Sequence, residues 1–370
     1  MIIGFDAKRA FHNSRGLGNY SRDYLRLSAT YAPDNDYVLF NPQREKSLSI
    51  PLEDRFSVVY PRGLWRLSHS GWRTWGCTQD IHKAGVEVFH GLSGELPMNI
   101  DTLKIKKVVT VHDAIFIRYP ELYSASYRDF FTRKVKYACE VADVIVSISE
   151  QTKRDCIEYF GASEHKVQVM YQGCSNRFRD VVSEEEQMRV RAQYSLPKTY
   201  LLQVGAIEPR KNLHNMLLAL SVSGLDIPLV VVGGDSAYAS DMKKLAQEKN
   251  LRVYFCHNIP FKDFPAVYQS SFALLYPSVF EGFGLPILEG MCSGVPVLTS
   301  TGSCFSETGG EAALYANPSD VDDMSEKLRM IVTDNELRSD MIRLGHLQAE
   351  KFTDDKIGRN IKNLYEGLCK

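Results

Sequence analysis

The chain has eight cysteines in 370 residues, Cys77, Cys139, Cys156, Cys174, Cys256, Cys292, Cys304 and Cys369, and no two stand two or four positions apart. That excludes a zinc knuckle and a Cys-x-x-Cys redox pair. Several lie in apolar runs, such as Cys256 in VYFCH, and read as small buried hydrophobes. A reducing cytoplasm is the expected location. No run approaches about 18 apolar residues, so no membrane span is expected. The opening MIIGFDAKRA places apolar residues before basic ones, the reverse of a signal peptide. No internal repeat or low-complexity tract is visible. Charge of one sign is also lacking: the net charge is −1, with 26 Lys/Arg against 24 Asp/Glu in residues 1–190 and 18 against 21 in the remainder. Neither half has the basic surplus that phosphate-backbone binding requires, so nucleic acid is not an expected partner.

What is present is an ordinary globular composition, 44% hydrophobic and 24% charged, in a chain too long for one core. Short β-branched runs recur at 1–6, 37–41, 56–60, 86–90, 107–113, 144–149, 167–172, 200–205, 228–234, 252–256, 272–277, 295–300 and 312–316. Most are continuously apolar, the mark of parallel strands buried on both faces. Helical patterns intervene, including Val135 to Val141 and Asp241 to Asn250. Strand–helix alternation predicts an α/β chain with two doubly wound sheets. The boundary is expected near SLPKTY, giving domains 1–195 and 196–353, with helices near 321–333, 335–351 and 354–369 at the end. Two such sheets facing one another would make a cleft at their strands' carboxyl ends.

Four segments carry candidate chemistry. RGLGNYS (15–21) follows the first strand, and Gly16 and Gly18 would let backbone N–H groups approach an anion at a helix start. A dehydrogenase fingerprint fits poorly: nine residues separate Asp6 from Gly16, Ser21 stands where the last glycine belongs, and the second strand ends in Asn41 rather than an acid. VHDAIFIRYP ends a strand at His112, whose ring can donate to substrate hydroxyls. VGAIEPRKN (204–212) sets Arg210 and Lys211 in a turn between the strand ending at Gly205 and a helix beginning near Asn212, an arrangement suited to a diphosphate. FEGFGLPILEGMCSGVPVLTS (280–300) is the most informative. Its glycines and Pro286 open a helix whose first amides face a ligand, with Glu281 in the loop and Glu289 about two turns into the helix. Both carboxylates can accept from sugar or ribose hydroxyls. Asp34-Asn35-Asp36 is a DxD string of the kind that holds manganese, but it sits among turn formers and reads as a surface turn.

With GLGNYS, HDAIF, SISEQTKRD (147–155), EPRKN, EGFGLPILE and SETGGEAALYANPSD (306–320) together, the sequence resembles the retaining glycosyltransferases of family 4, which have the GT-B fold. HDAIFIRYPELYS and EPRKNL are similar to the mannosyltransferase-like branch that builds bacterial surface polysaccharides. The resemblance covers nearly the whole chain. It implies two Rossmann-like domains facing a central cleft, with the last helix crossing back to the first. It implies a nucleotide-sugar donor, GDP-mannose or a UDP-hexose, bound by the second domain, and a glycan or polyprenyl-linked acceptor bound by the first. By that resemblance Arg210 and Lys211 clamp the diphosphate, and Phe283, Gly284 and Leu285 offer backbone N–H groups to sugar and phosphate. Glu281 contacts the transferred sugar, Glu289 holds the ribose, Gly16 admits the diphosphate and His112 sits by the sugar ring. Many relatives carry arginine after the strand-ending glycine; here Ala206 stands there, which shifts the load to Arg210 and Lys211. CHNIP (256–260) replaces a glycine-containing loop near the base.

The implied chemistry is transfer with retention through an oxocarbenium-like state, without metal, cofactor or covalent nucleophile, the protein cations stabilising the leaving diphosphate. The rivals are a hydrolase using Glu281 and Glu289 as an acid/base pair, a same-fold epimerase of UDP-N-acetylhexosamines, and a nucleotide-sugar-binding module without catalysis. LWRLSHSGWRTWG (64–76) holds all three tryptophans, Trp65, Trp72 and Trp75, beside Arg62, Arg66 and Arg73. It reads as a helix packed by aromatics, with peripheral contact to an anionic membrane face as the alternative.

Overall fold

The computed structural model describes residues 1–45, 48 and 54–368. Cys369 and the last positions of the expected final helix lie outside them. Among the described residues thirteen strands form two sheets, and each overlaps a run expected from the sequence. The first sheet contains β1 (Ile2–Asp6), β2 (Asp36–Phe40), β3 (Phe56–Val59), β4 (Val88–Gly91), β5 (Lys106–Val111), β6 (Val144–Ser147) and β7 (Val167–Val169), in the order β3-β2-β1-β4-β5-β6-β7. The second contains β8 (Leu201–Val204), β9 (Leu229–Val232), β10 (Val253–Cys256), β11 (Ala273–Tyr276), β12 (Val297–Ser300) and β13 (Ala313–Ala316), in the order β10-β9-β8-β11-β12-β13. Every pairing is parallel. The apolar runs explain this. Ile3, Phe5 and Val108 pack into one core with Tyr24 and Tyr365, while Phe89, Val109 and Val111 pack into another with Trp72 and Ala138. Strands that are apolar on both sides must be covered on both sides. The architecture is that of the GT-B fold, two Rossmann-like units in one chain.

Each strand order reverses once, between β1 and β4 in the first sheet and between β8 and β11 in the second. At such a reversal the loops leave the carboxyl ends in opposite directions and open a crevice. These two points are where a ligand crevice is expected in each unit.

The units divide between Gln172 and Gly173, not near 195, and the chain returns to the first unit at Asp354. The helix Glu184–Gln193 belongs to the second unit because Arg189 pairs with buried Asp263 at 2.9 Å and the Tyr194 hydroxyl donates to Asp263 at 2.7 Å. Those partners lie some 70 residues downstream, so the local composition change at 195 could not reveal them. Among the described residues no helix is long and apolar enough to cross a membrane.

In the first unit, α1 (Lys8–His12) and α2 (Gly16–Tyr31) follow β1. The last helix, Asp354–Leu368, lies along α2: Arg26 pairs with Asp354 at 2.9 Å, and the Tyr31 ring fills the place where Gly358 would carry a Cβ. Gly358→Ala is expected to lower stability by about 1–3 kcal/mol through overpacking, read as a lower urea midpoint; an unchanged midpoint would show that this contact does not hold the helix.

Candidate active site

The second unit gathers most of the expected residues at its β8/β11 reversal. β8 ends at Val204, and Gly205 turns the chain with φ +137°. A Cβ there would lie 3.5 Å from the Lys211 side chain in a backbone region that other residues avoid. A short turn, Pro209–Lys211, carries the cations, and Asn212 closes it with φ +57°, its side-chain amide donating to the Pro318 carbonyl at 2.7 Å. The helix Leu213–Ser223 begins there. The loop after β11 comes to meet this turn, with the Val279 N–H donating to the Arg210 carbonyl at 2.9 Å.

Glu281 sits on that loop with one carboxylate oxygen between the two cations. Lys211 Nζ donates to Glu281 Oε1 at 2.5 Å, and Arg210 approaches the same oxygen at 2.7 Å. Lys211 also donates to the Tyr276 hydroxyl at 3.0 Å, and Arg210 to the Phe280 carbonyl at 3.0 Å and to Glu208 at 2.6 Å. Ser303 pins the Glu281 backbone: its Oγ accepts from the Glu281 N–H at 3.2 Å and donates to the Glu281 carbonyl at 2.9 Å. Burial works to raise the Glu281 pKa, but the attraction of Lys211 and then Arg210 wins and holds it down to about 2. The carboxylate is therefore ionised throughout the working range.

The helix Leu285–Cys292 opens directly after this loop, with Gly284 at φ +87° as its left-handed entry. The N–H of Leu285 is one of the amides that helix geometry leaves without an intrahelical partner. Thr308 Oγ1 donates to the Phe283 carbonyl at 2.5 Å and fixes the loop from behind. Glu289 stands just over one turn into this helix rather than two, because the helix starts at Leu285 and each turn takes about 3.6 residues. It is buried, and Oε2 accepts from the Tyr268 hydroxyl at 2.7 Å. Burial raises its pKa to about 7, against the pull of that hydrogen bond. The two glutamates of one motif thus have opposite electrostatics.

In the first unit His112 follows β5. Its Nε2 lies 2.9 Å from the Leu92 carbonyl, which can only accept, so Nε2 carries the proton and Nδ1 is an acceptor. Burial pushes its pKa down to about 4, the Leu92 bond opposing and Arg9 assisting. The sequence reading expected a donor to substrate; the neutral ring held this way has only an acceptor to offer. The two motifs beside it are tied together, Thr152 Oγ1 donating to the His112 carbonyl at 3.1 Å and Arg118 pairing with Asp155 at 2.7 Å. Gly16 begins α2 with open space where a Cβ would be. Gly18 differs: a Cβ there would overlap the Asn13 carbonyl, so the packing between α1 and α2 requires that glycine. Asp34 and Asn35 form the turn before β2, as expected.

Sequence reasoning missed the first unit's own reversal point. Arg73 bridges Asp6 at 2.5 Å and Glu95 at 2.8 Å, and Lys134 reaches Glu95 at 2.6 Å. Asp6 ending β1 was the available signal. Trp72 is buried beside them, its indole N–H donating to Asp80 at 2.8 Å. Among the described residues no three His, Cys, Asp or Glu side chains converge as a metal-binding group.

Two family models match successive parts of this chain: "Glycosyltransferase Family 4" over residues 31–175 and "Glycosyl transferases group 1" over residues 184–347. The chain belongs to the family 4 glycosyltransferases. It is similar to O-antigen chain mannosyltransferase B of Escherichia coli, 27% identical over 288 residues that cover 76% of this chain and 74% of that one. Among solved structures it resembles the sucrose-phosphate synthase of Thermosynechococcus elongatus, with TM-score 0.79, 19% identity and coverage of 100% and 99%. It also resembles Anabaena HepE in complex with UDP-glucose, with TM-score 0.75, 15% identity and 99% of both chains covered.

The raised pKa of Glu289 gives this glycosyltransferase a pH signature. A carboxyl that holds its proton more tightly when folded contributes stability that is fully present below its unfolded pKa of 4.5 and lost as pH rises through about 7. Glu289→Gln removes the titration. The drop in urea-unfolding free energy between pH 5 and pH 8 is expected to shrink by on the order of 2 kcal/mol; an unchanged drop would show that Glu289 titrates normally.

Proposed function

We propose that this glycosyltransferase moves a hexose, mannose for preference, from a nucleotide diphosphate to a glycan or polyprenyl-linked acceptor in cell-surface polysaccharide synthesis, with retention and without metal. The observation that carries the reading is Arg210 and Lys211 held together by Glu281 at the β8/β11 reversal, directly before a helix N-terminus. Two partly enclosed cations and a helix start form a preorganised field for a leaving diphosphate. A free glycoside carries no charge for that field to act on, which weighs against the hydrolase. The O-antigen relative favours mannose and hence GDP-mannose; the HepE complex keeps a UDP-hexose as the alternative.

In this reading Arg210 and Lys211 neutralise the charge that builds as the bond from the sugar C1 to phosphate breaks. Glu281, anionic and fixed, accepts from hydroxyls of the transferred sugar. Gly284 and Leu285, with Phe283, present backbone to sugar and phosphate, and Glu289 takes the ribose. Gly205 makes the left-handed turn that leads from β8 to the cations. The roles of the first unit are acceptor binding, an open approach at Gly16, and the Nδ1 acceptor of His112 for a sugar hydroxyl.

Nucleotide release from a panel of GDP- and UDP-sugars in EDTA tests the proposal. Donor-specific release is expected, falling about 10²–10³-fold in Lys211→Ala and lost in Glu281→Ala. Turnover only with manganese would overturn the metal-free reading. Donor binding without turnover would make the chain a binding module, and exchange of the donor C2 hydrogen without acceptor would make it an epimerase.

The same proposal extends to a peripheral membrane contact. Trp72 and Arg73 are inside the protein, so removing them tests folding. The outward groups are Leu64 and Leu67, 86% and 87% exposed, with Trp75, Arg62 and Arg66 around them. Exposed apolar side chains with arginines next to them in sequence suit an anionic bilayer surface. Leu64→Asp/Leu67→Asp is expected to lower co-sedimentation with phosphatidylglycerol-containing vesicles severalfold, leaving the weak background on pure phosphatidylcholine unchanged. Equal sedimentation of variant and wild type would end the idea.

A further inference from the structure

A chain of polar contacts crosses the core of the first unit and ends at His112. The Tyr365 hydroxyl, on the last helix, lies 2.8 Å from His90 Nδ1. His90 Nε2 lies 2.8 Å from Thr110 Oγ1, and the Tyr20 hydroxyl lies 3.3 Å from that same oxygen. The Tyr20 ring then meets the His112 imidazole at 4.6 Å in a perpendicular contact. Tyr365, His90 and Thr110 are completely enclosed. None of the three has a part in the chemistry described above.

Buried polar groups cost stability unless they are satisfied, and a satisfied network fixes one arrangement of its members. Burial holds His90 neutral, its pKa pushed down to about 3. A neutral imidazole donates from one nitrogen and accepts at the other. The bond to Tyr365 therefore determines the direction of the bond to Thr110, and through Thr110 the hydroxyl of Tyr20 is anchored. His112 is held by the Leu92 carbonyl at one nitrogen and by the Tyr20 ring beside it. One hydrogen bond leaves an imidazole free to swing about that bond. The tyrosine ring supplies the second restraint. The last helix acts on the same tyrosine through its backbone as well, since it clamps α2 at Tyr31 and Arg26.

We propose that Tyr365, His90 and Thr110 are positioning residues for His112, acting through Tyr20, so that the last helix must be seated for the histidine to keep its working orientation. The proposal rests on the reading of His112 as a group that meets the transferred sugar.

The test is nucleotide release with the donor that the panel identifies, comparing Tyr365→Phe, His112→Ala and the double variant, with thermal unfolding to confirm folding. Tyr365→Phe keeps the ring and removes one hydroxyl. Its kcat is expected to fall about tenfold, the worth of one buried hydrogen bond, with donor KM nearly unchanged. In the His112→Ala background the same substitution is expected to cost nothing more. Thr110→Val is expected to behave like Tyr365→Phe, and Thr110→Ser to restore the rate. Equal losses in both backgrounds would overturn the proposal in favour of a general structural role. So would an unchanged kcat in Tyr365→Phe when His112→Ala is impaired. Full activity in His112→Ala would instead strike the reading of His112 itself, and the proposal with it.

Discussion

One oxygen of Glu281 organises the second unit. It joins a cation-bearing turn after β8 to a loop after β11, and the residues it joins are 70 positions apart. Each charge alone would be costly to bury. Together they are tolerable, because the carboxylate lies against both cations and Ser303 holds its backbone. The outer partner of Arg210, Glu208, is 42% exposed, so water screens its contribution. The enclosed part of the cluster therefore holds two cations and one carboxylate. It has one positive charge in excess, already oriented, at the mouth of a helix.

The first unit's reversal point is built from the same residue types with a different balance. Asp6 and Glu95 face Arg73 and Lys134, and all four side chains are largely enclosed. Among these four the charges balance, two of each sign, and Arg73 ties the segment of residues 63–76 to the end of β1 and to the loop after β4. This explains why that tryptophan-rich segment has two faces. Trp72 and Arg73 are drawn inward by Asp80, Asp6 and Glu95, which turns Leu64 and Leu67 to solvent.

Much of this was legible in the sequence because it depends on local pattern. A strand buried on both faces must be apolar throughout, so all thirteen could be read as runs. A loop that brings backbone close to an anion needs glycine, so Gly205 and Gly284 stood out beside their charged neighbours. What escaped depends on partners distant in the chain. The domain boundary is set by Asp263 reaching Arg189 and Tyr194. Gly18 is dictated by the carbonyl of Asn13, which a glycine count cannot distinguish from an approach to ligand. The polarity of His112 is decided by the Leu92 carbonyl, twenty residues earlier. The Asp6–Arg73–Glu95–Lys134 network spans four separate segments with no common motif.

The spaced glutamates illustrate the limit of a motif most clearly. Eight residues apart, they look equivalent in sequence, yet one precedes a helix beside two cations and the other lies on that helix's buried face beside a tyrosine hydroxyl. The first is a permanent anion and can only accept hydrogen bonds. The second titrates near neutrality, and when protonated it can donate as well as accept. A vicinal diol such as a ribose offers both donors and acceptors, so it can pair with either form of Glu289. A leaving diphosphate has only acceptors and needs cations that never lose their charge. Permanence belongs where charge develops in the reaction, and adaptability is tolerable where a hydroxylated handle is merely held. That difference follows from burial and neighbours rather than from residue type, and it gives the two carboxylates of one motif, one in the loop and one on the helix, different hydrogen-bonding chemistry.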